Sequence, residues 1–161
     1  MPQEPLAIFD EVLAHKEFLG IGSTDAHGTH GLQHAMAFTI VQTHVLARER
    51  SSAAILEALR ARRAYVSFEY LRPVRAFDFA VTGATHESMG ATVAFAPGLE
   101  LVIRVAPSAD VRLVRDGVTA GRWPEASEVH ESVREPGVYR VEARTEGHLW
   151  ILSNAIRVVG G

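Results

Sequence analysis

The chain of 161 residues contains no cysteine. That excludes disulfides, thiolate metal ligands and a cysteine nucleophile, so a bound metal would have to rely on His, Asp, Glu and water. No stretch reaches the ~18 uninterrupted apolar residues that a membrane helix needs. The N-terminal Met1-Pro2-Gln3-Glu4-Pro5 has neither the basic nor the apolar region of a secretory signal. A cytoplasmic protein with no membrane partner is expected. A surplus of basic charge is missing too: 16 Lys and Arg face 19 Asp and Glu, giving a net charge of −3. The chain thus lacks the electrostatic footprint of a nucleic-acid-binding protein. Nor is there a Gly-x-Ser-x-Gly elbow, a P-loop or a dinucleotide fingerprint. What is present is 47% hydrophobic residues, enough to bury a core and to place the chain among globular proteins.

Two regions differ in hydrophobic period. In the first, Leu6, Phe9 and Leu13, with Ile8 and Val12, have helical spacing; Pro5 suits the first turn and Gly20 follows the end. Ile21 to Thr24 reads as a short buried strand, and Phe38 to Val45 as extended. A second helix is expected from Ser51 or Ser52 as N-cap, with Ile55, Leu56 and Leu59 on its apolar face and Arg60, Arg62 and Arg63 at its end. Ala64 to Phe68 returns to a strand. Helix followed by strand suggests one end of a parallel sheet or barrel. After about residue 75 the period becomes two. Phe77, Phe79 and Val81 alternate with Asp78, Ala80 and Thr82; Leu99, Leu101, Ile103 and Val105 oppose Glu100 and Arg104; Tyr139, Val141 and Ala143 alternate with Arg140, Glu142 and Arg144. Val111 to Arg115 runs into the turn dipeptide Asp116-Gly117, and a closing strand spans Trp150 to Val159. Short alternating strands between Gly, Pro and Asp turns read as an antiparallel sandwich. The expected class is α+β: a partial β/α remnant over residues 1–72, then an antiparallel β-sandwich domain over residues 73–161.

Chemistry concentrates in residues 19–31, Leu-Gly-Ile-Gly-Ser-Thr-Asp-Ala-His-Gly-Thr-His-Gly. A carboxylate and an imidazole two residues apart on an extended chain point to the same side. Asp25 and His27 could therefore grip one divalent ion, with Zn, Mn or Fe suited to oxygen and neutral imidazole donors. His30 and His34 are further candidates, because the four fall within ten residues. A bound cation brings the pKa of its water toward ~7 and so supplies hydroxide at neutral pH. The plainer alternative makes Asp25 a turn cap between flexible glycines and leaves His30 and His34 solvated. His44, His86, His130 and His148 are scattered and read as surface or satisfied residues. The arginines at 60, 62 and 63 read as complements to a helix dipole, with an anion-binding patch as the sharper alternative. Trp123, Trp150 and Tyr139 read as core or sandwich-edge aromatics.

Gly22-Ser23-Thr24-Asp25-Ala26-His27-Gly28 resembles the last metal-binding motif of the PHP (polymerase and histidinol phosphatase) superfamily, specifically its carbaryl-hydrolase-like branch. Ser51 to Ser67 is similar to the helix and strand after that motif. Val111 to Gly117, Pro136 to Arg140 and Trp150 to Ile156 resemble strands of the branch's appended sandwich. The resemblance implies a distorted β/α barrel with two or three metal ions and hydrolysis of a phosphoester or related ester by metal-bound hydroxide. Asp25 and His27 match the two ligands of the final motif, whereas His30 and His34 match none. Two departures stand out. Only 24 residues precede Asp25, without the His-x-His and middle ligands of the family, and the family's Ala-Gly-Arg becomes Ala61-Arg62-Arg63.

The resulting expectation is a C-terminal segment of a PHP-type hydrolase, donating Asp25 and His27 to a divalent metal site that this chain leaves incomplete. The missing N-terminal half, in the same native polypeptide or in a partner, would complete it, and the chain alone would be inactive; a homo-oligomer partner would instead bury the exposed edge of the barrel piece. The alternatives are a non-catalytic sandwich module for interaction or oligomerisation, and a self-contained mononuclear site of Asp25, His27, His30 and His34.

Overall fold

A computed structural model describes residues 4–24 and 40–160. Helix α1 spans Glu4–His15, with Pro5 in its first turn and Leu13 buried. Helix α2 spans Ser52–Arg60. Ser51, in extended conformation, caps it: its hydroxyl accepts from the Ala54 N–H at 3.1 Å. Ser51→Ala should cost about 1 kcal/mol, since one orphan amide of the first turn loses its partner; chemical denaturation checks this. The apolar face expected for this helix is corrected. Ala58 is fully buried, while Ile55 and Leu56 are 39% and 49% exposed. Ala54 and Ala58, four apart, form the face of small side chains that lets the helix approach the strand beneath it.

The helix ends in a Schellman motif. The Arg62 N–H donates to Leu59 O at 3.0 Å and the Arg63 N–H to Ala58 O at 2.9 Å. This places Arg62 at φ 58°, a left-handed position usually held by glycine.

The strands are β1 (Gln42–Val45), β2 (Ala64–Ser67), β3 (Ala76–Thr82), β4 (His86–Ser88), β5 (Thr92–Ala94), β6 (Glu100–Arg115), β7 (Val118–Ser132), β8 (Gly137–Thr145), β9 (His148–Ser153) and β10 (Ile156–Val159). They form one ten-stranded sheet whose main path runs β1-β2-β9-β8-β6-β3-β4. The expected two-sheet sandwich is instead a single curled, mostly antiparallel sheet. The reason lies in β6, which is 16 residues long because residues 100–105 and 111–115 belong to one strand. Its first half pairs β3, its second half pairs β8, and β7 follows it throughout, with register shifts between Arg104 and Val111. Changing neighbours midway bends the sheet. Asp116 and Gly117, at φ 48° and 80°, make the expected tight turn between β6 and β7.

The final strand divides as well. β9 and β10 run consecutively along β8 but have different outer neighbours, β2 for β9 and a parallel β5 for β10. The change occurs at Asn154 and Ala155, in the stretch read as one strand. The first 72 residues add β1 and β2 to this sheet, paired antiparallel rather than parallel. Ile21 to Thr24 forms no strand, and Ile21 is 65% exposed. The hydrogen bonds of Gly20 and Gly22 go to side chains instead of to a neighbouring strand.

The core lies on the face carrying Phe77, Phe79, Leu101, Ile103, Val111, Val141 and Trp150. On the opposite face of β8, Arg140 and Glu142 are buried because α1 lies across them. Arg140 donates to both Asp10 oxygens, at 2.5 and 2.7 Å, and to Glu142 at 2.9 Å; Arg144 reaches the other Glu142 oxygen at 2.8 Å. Arg157 donates to the Leu13 and Lys16 carbonyls at the helix C-terminus, a favourable end for a cation.

Candidate functional site

Asp25, His27, His30 and His34 lie outside the described residues. What is described is the approach to them. Asn154 is 1% exposed, and its amide grips Gly20 on both sides. Its Oδ1 accepts from Gly20 N–H at 2.6 Å, and its Nδ2 donates to Gly20 O at 3.0 Å and to Ala64 O at 2.7 Å. Two residues on, Thr43 Oγ1 accepts from Gly22 N–H at 2.9 Å and donates to Gly22 O at 3.0 Å. A Cβ on Gly22 would stand 2.5 Å from Val66 Cγ1 and 2.6 Å from Val41 Cγ1, so only glycine fits there. The chain entering the Asp-x-His motif is thus held from both sides, by β1 and by the β9–β10 junction. Among the described residues no group of three or more His, Cys, Asp or Glu could hold a metal ion.

The remaining histidines divide by setting. His86 and His148 are exposed. His130 bridges Glu100 at 2.7 Å and Glu128 at 3.1 Å, and these hydrogen bonds raise its pKa above the usual imidazole value. His44 differs. Its ring stacks on Tyr65 with centroids 4.4 Å apart, and its Nε2 lies 2.8 Å from Ser67 Oγ and 3.4 Å from Glu69 Oε1. Ser67 Oγ in turn donates to Glu69 Oε1 at 3.0 Å. Burial, and then the Glu69 charge, push the Tyr65 phenol up to about 12. Sequence reasoning missed this group. The residues are 2 and 23 positions apart, and only the β1–β2 register, which sets His44 opposite Tyr65, brings them together.

Of the arginines at 60, 62 and 63, the last two are engaged with carboxylates. Arg62 pairs with Glu17 at 3.0 Å and donates to Gly90 O at 3.0 Å, while Arg63 pairs with Glu57. Arg62 also borders an open groove of about 690 Å³ with Glu87, Ser88, Met89, Val93 and Leu99. Trp150 is fully buried, donating from Nε1 to Arg72 O at 2.6 Å, and Tyr139 is 4% exposed. Both agree with the core reading. No helix of the described residues is long and apolar enough to cross a membrane. No protein-family model matches this chain, and neither the curated proteins nor the solved structures include one that it is similar to.

Proposed function

We propose that this chain is the C-terminal segment of a metal-dependent hydrolase of the PHP phosphoesterase type, contributing Asp25 and His27 to a divalent metal centre that residues beyond this chain complete. The observation that carries the reading is Arg62. The resembled family has glycine at this point of its Ala-Gly-Arg sequence, and here the corresponding residue sits at φ 58°, where glycine is the residue of least cost. A backbone requirement that matches a family's glycine, although the side chain differs, supports common local architecture between Ser51 and Ser67. The clamped glycines 20 and 22 add to it, because a ligand pair must leave a fixed point to be held in place.

In this role Asp25 supplies an anionic oxygen and His27 a neutral imidazole nitrogen, and the metal would activate water toward a phosphoester. Two ligands leave most of a coordination shell to other groups, which a further segment, in the same polypeptide or in a partner, would supply.

The test joins this chain to the α/β segment encoded directly upstream in its gene, where an in-frame His-x-His is expected. The joined protein should hydrolyse p-nitrophenyl phosphate with Mn²⁺. Asp25→Ala and His27→Ala should each lower kcat/KM by a factor of about 100 or more, as expected when a catalytic metal loses a ligand. An active joined protein indifferent to both substitutions, or an upstream region without the histidine motif, rejects the proposal.

A further inference from the structure

We infer that His44, Ser67 and Glu69 form a binding site for a borderline divalent cation such as Zn²⁺, with neither Asp25 nor His27 among its ligands. His44 Nε2, Ser67 Oγ and Glu69 Oε1 form a triangle with edges of 2.8, 3.0 and 3.4 Å. Donors about 2.1 Å from one zinc ion are separated by about 3.0 to 3.4 Å, in octahedral and tetrahedral shells respectively. The triangle is therefore already close to the shape of one face of such a shell. An imidazole nitrogen with carboxylate and hydroxyl oxygens suits zinc or manganese better than calcium or magnesium.

Charge gives a second, independent argument. The Glu69 side chain is only 14% exposed, yet among the described residues no arginine or lysine pairs with it; its one ion-pair partner is His44. Its remaining hydrogen bonds come from Ser67 Oγ and from the Val74 N–H, which approaches both oxygens at 3.3 and 3.4 Å. A secluded carboxylate wants a compensating cation. The other secluded carboxylates among the described residues do have one: Glu142 has an arginine on each oxygen, and Asp10, as secluded as Glu69, has both oxygens on Arg140. A divalent ion on the triangle would balance Glu69 in the same way.

The pieces are also well held. Ser67 is fully buried in β2, stacking on Tyr65 fixes the plane of the His44 ring, and the Val74 amide orients the carboxylate. The His44 side chain is 27% exposed, so solvent reaches the triangle from the imidazole side. Two strong ligands and a hydroxyl fall short of three His or acidic residues, so spacing rules alone pass over the group.

The test is a Zn²⁺ titration, by calorimetry, of the full untagged chain carrying both Asp25→Ala and His27→Ala. That background keeps the outcome apart from the hydrolase proposal. One equivalent of zinc should bind and raise the melting temperature. His44→Ala should abolish uptake, Glu69→Gln should weaken it about 10–100-fold, and exposed His148→Ala should leave it unchanged. Glu69→Gln keeps the shape and an acceptor for Val74, so it reports without loss of the fold. Absence of zinc binding in the double-alanine background, or binding indifferent to both His44→Ala and Glu69→Gln, overturns the assignment and leaves the triangle as a hydrogen-bonded strand-edge lock.

Discussion

Arg140→Ala should destabilise the protein by about 3–5 kcal/mol, the usual cost of removing one partner from a buried ion pair. For a chain of this size that corresponds to a drop in melting temperature on the order of 10 °C. Arg140 is 3% exposed and stands between two carboxylates, Asp10 on α1 and Glu142 beside it on β8. Without it, Glu142 keeps only Arg144, Asp10 faces the sheet alone, and α1 loses its main polar attachment. A methionine in place of Arg140 would fill the volume but strand the same carboxylates, so it should restore little. Joint replacement of Asp10, Arg140 and Glu142 by apolar residues should recover much of the loss.

The same cluster sets an acid limit. Burial by itself would raise the Glu142 carboxyl, but hydrogen bonds from Arg140 and Arg144 outweigh it and hold the group below the usual carboxylate range. A depressed folded-state pKa contributes stability that is present above the unfolded value, near 4.5, and is lost as pH falls through the folded one. Urea midpoints should therefore fall as the pH drops below about 4.5. In Arg140→Ala the fall should be shallower, and an equally steep acid transition would show that Glu142 is not its source.

Asn154→Ala should cost about 3 kcal/mol. One side chain makes three hydrogen bonds to the main chain, at 2.6, 3.0 and 2.7 Å. Alanine would leave the Gly20 amide and carbonyl and the Ala64 carbonyl without it, each in partly or fully buried surroundings. The loss should be uneven. Amide exchange at Gly20 and Gly22 should accelerate far more than in the β6–β7 hairpin, and a uniform change across the sheet would contradict the clamp. Asn154→Asp retains the acceptor but has no N–H donor for the two carbonyls, so it should be no better.

Much of the sheet could be read from the residues. Phe77, Phe79 and Val81, like Leu101, Ile103 and Val105, are buried at the period that marks one face of a strand. Asp116-Gly117 turns where a type I′ pair should. The errors share a cause. Arg140 and Glu142 look solvent-facing by alternation, and only a helix 130 residues earlier in the chain covers them. Ile55 and Leu56 look like the buried face of α2, but close approach to β1 selects Ala58. Nothing local in Val111 to Arg115 says that it continues the strand beginning at Glu100. Of the candidate site, the Asp-x-His pair is visible because its residues are neighbours in sequence. His44, Ser67 and Glu69 are not, since a strand register must first bring them together.

Residues 10–20 and residues 140–157 are linked across the whole chain: Asp10 with Arg140, Gly20 with Asn154, Leu13 with Arg157. During synthesis, α1 and the segment leading to Asp25 therefore emerge long before the strands of this chain that they rest on. β6 and β7 can zip together as soon as they leave the ribosome, because their contacts are local. The amino-terminal part must wait until β8, β9 and β10 have been made. A polypeptide stopped before Asn154 would leave Gly20 without its clamp.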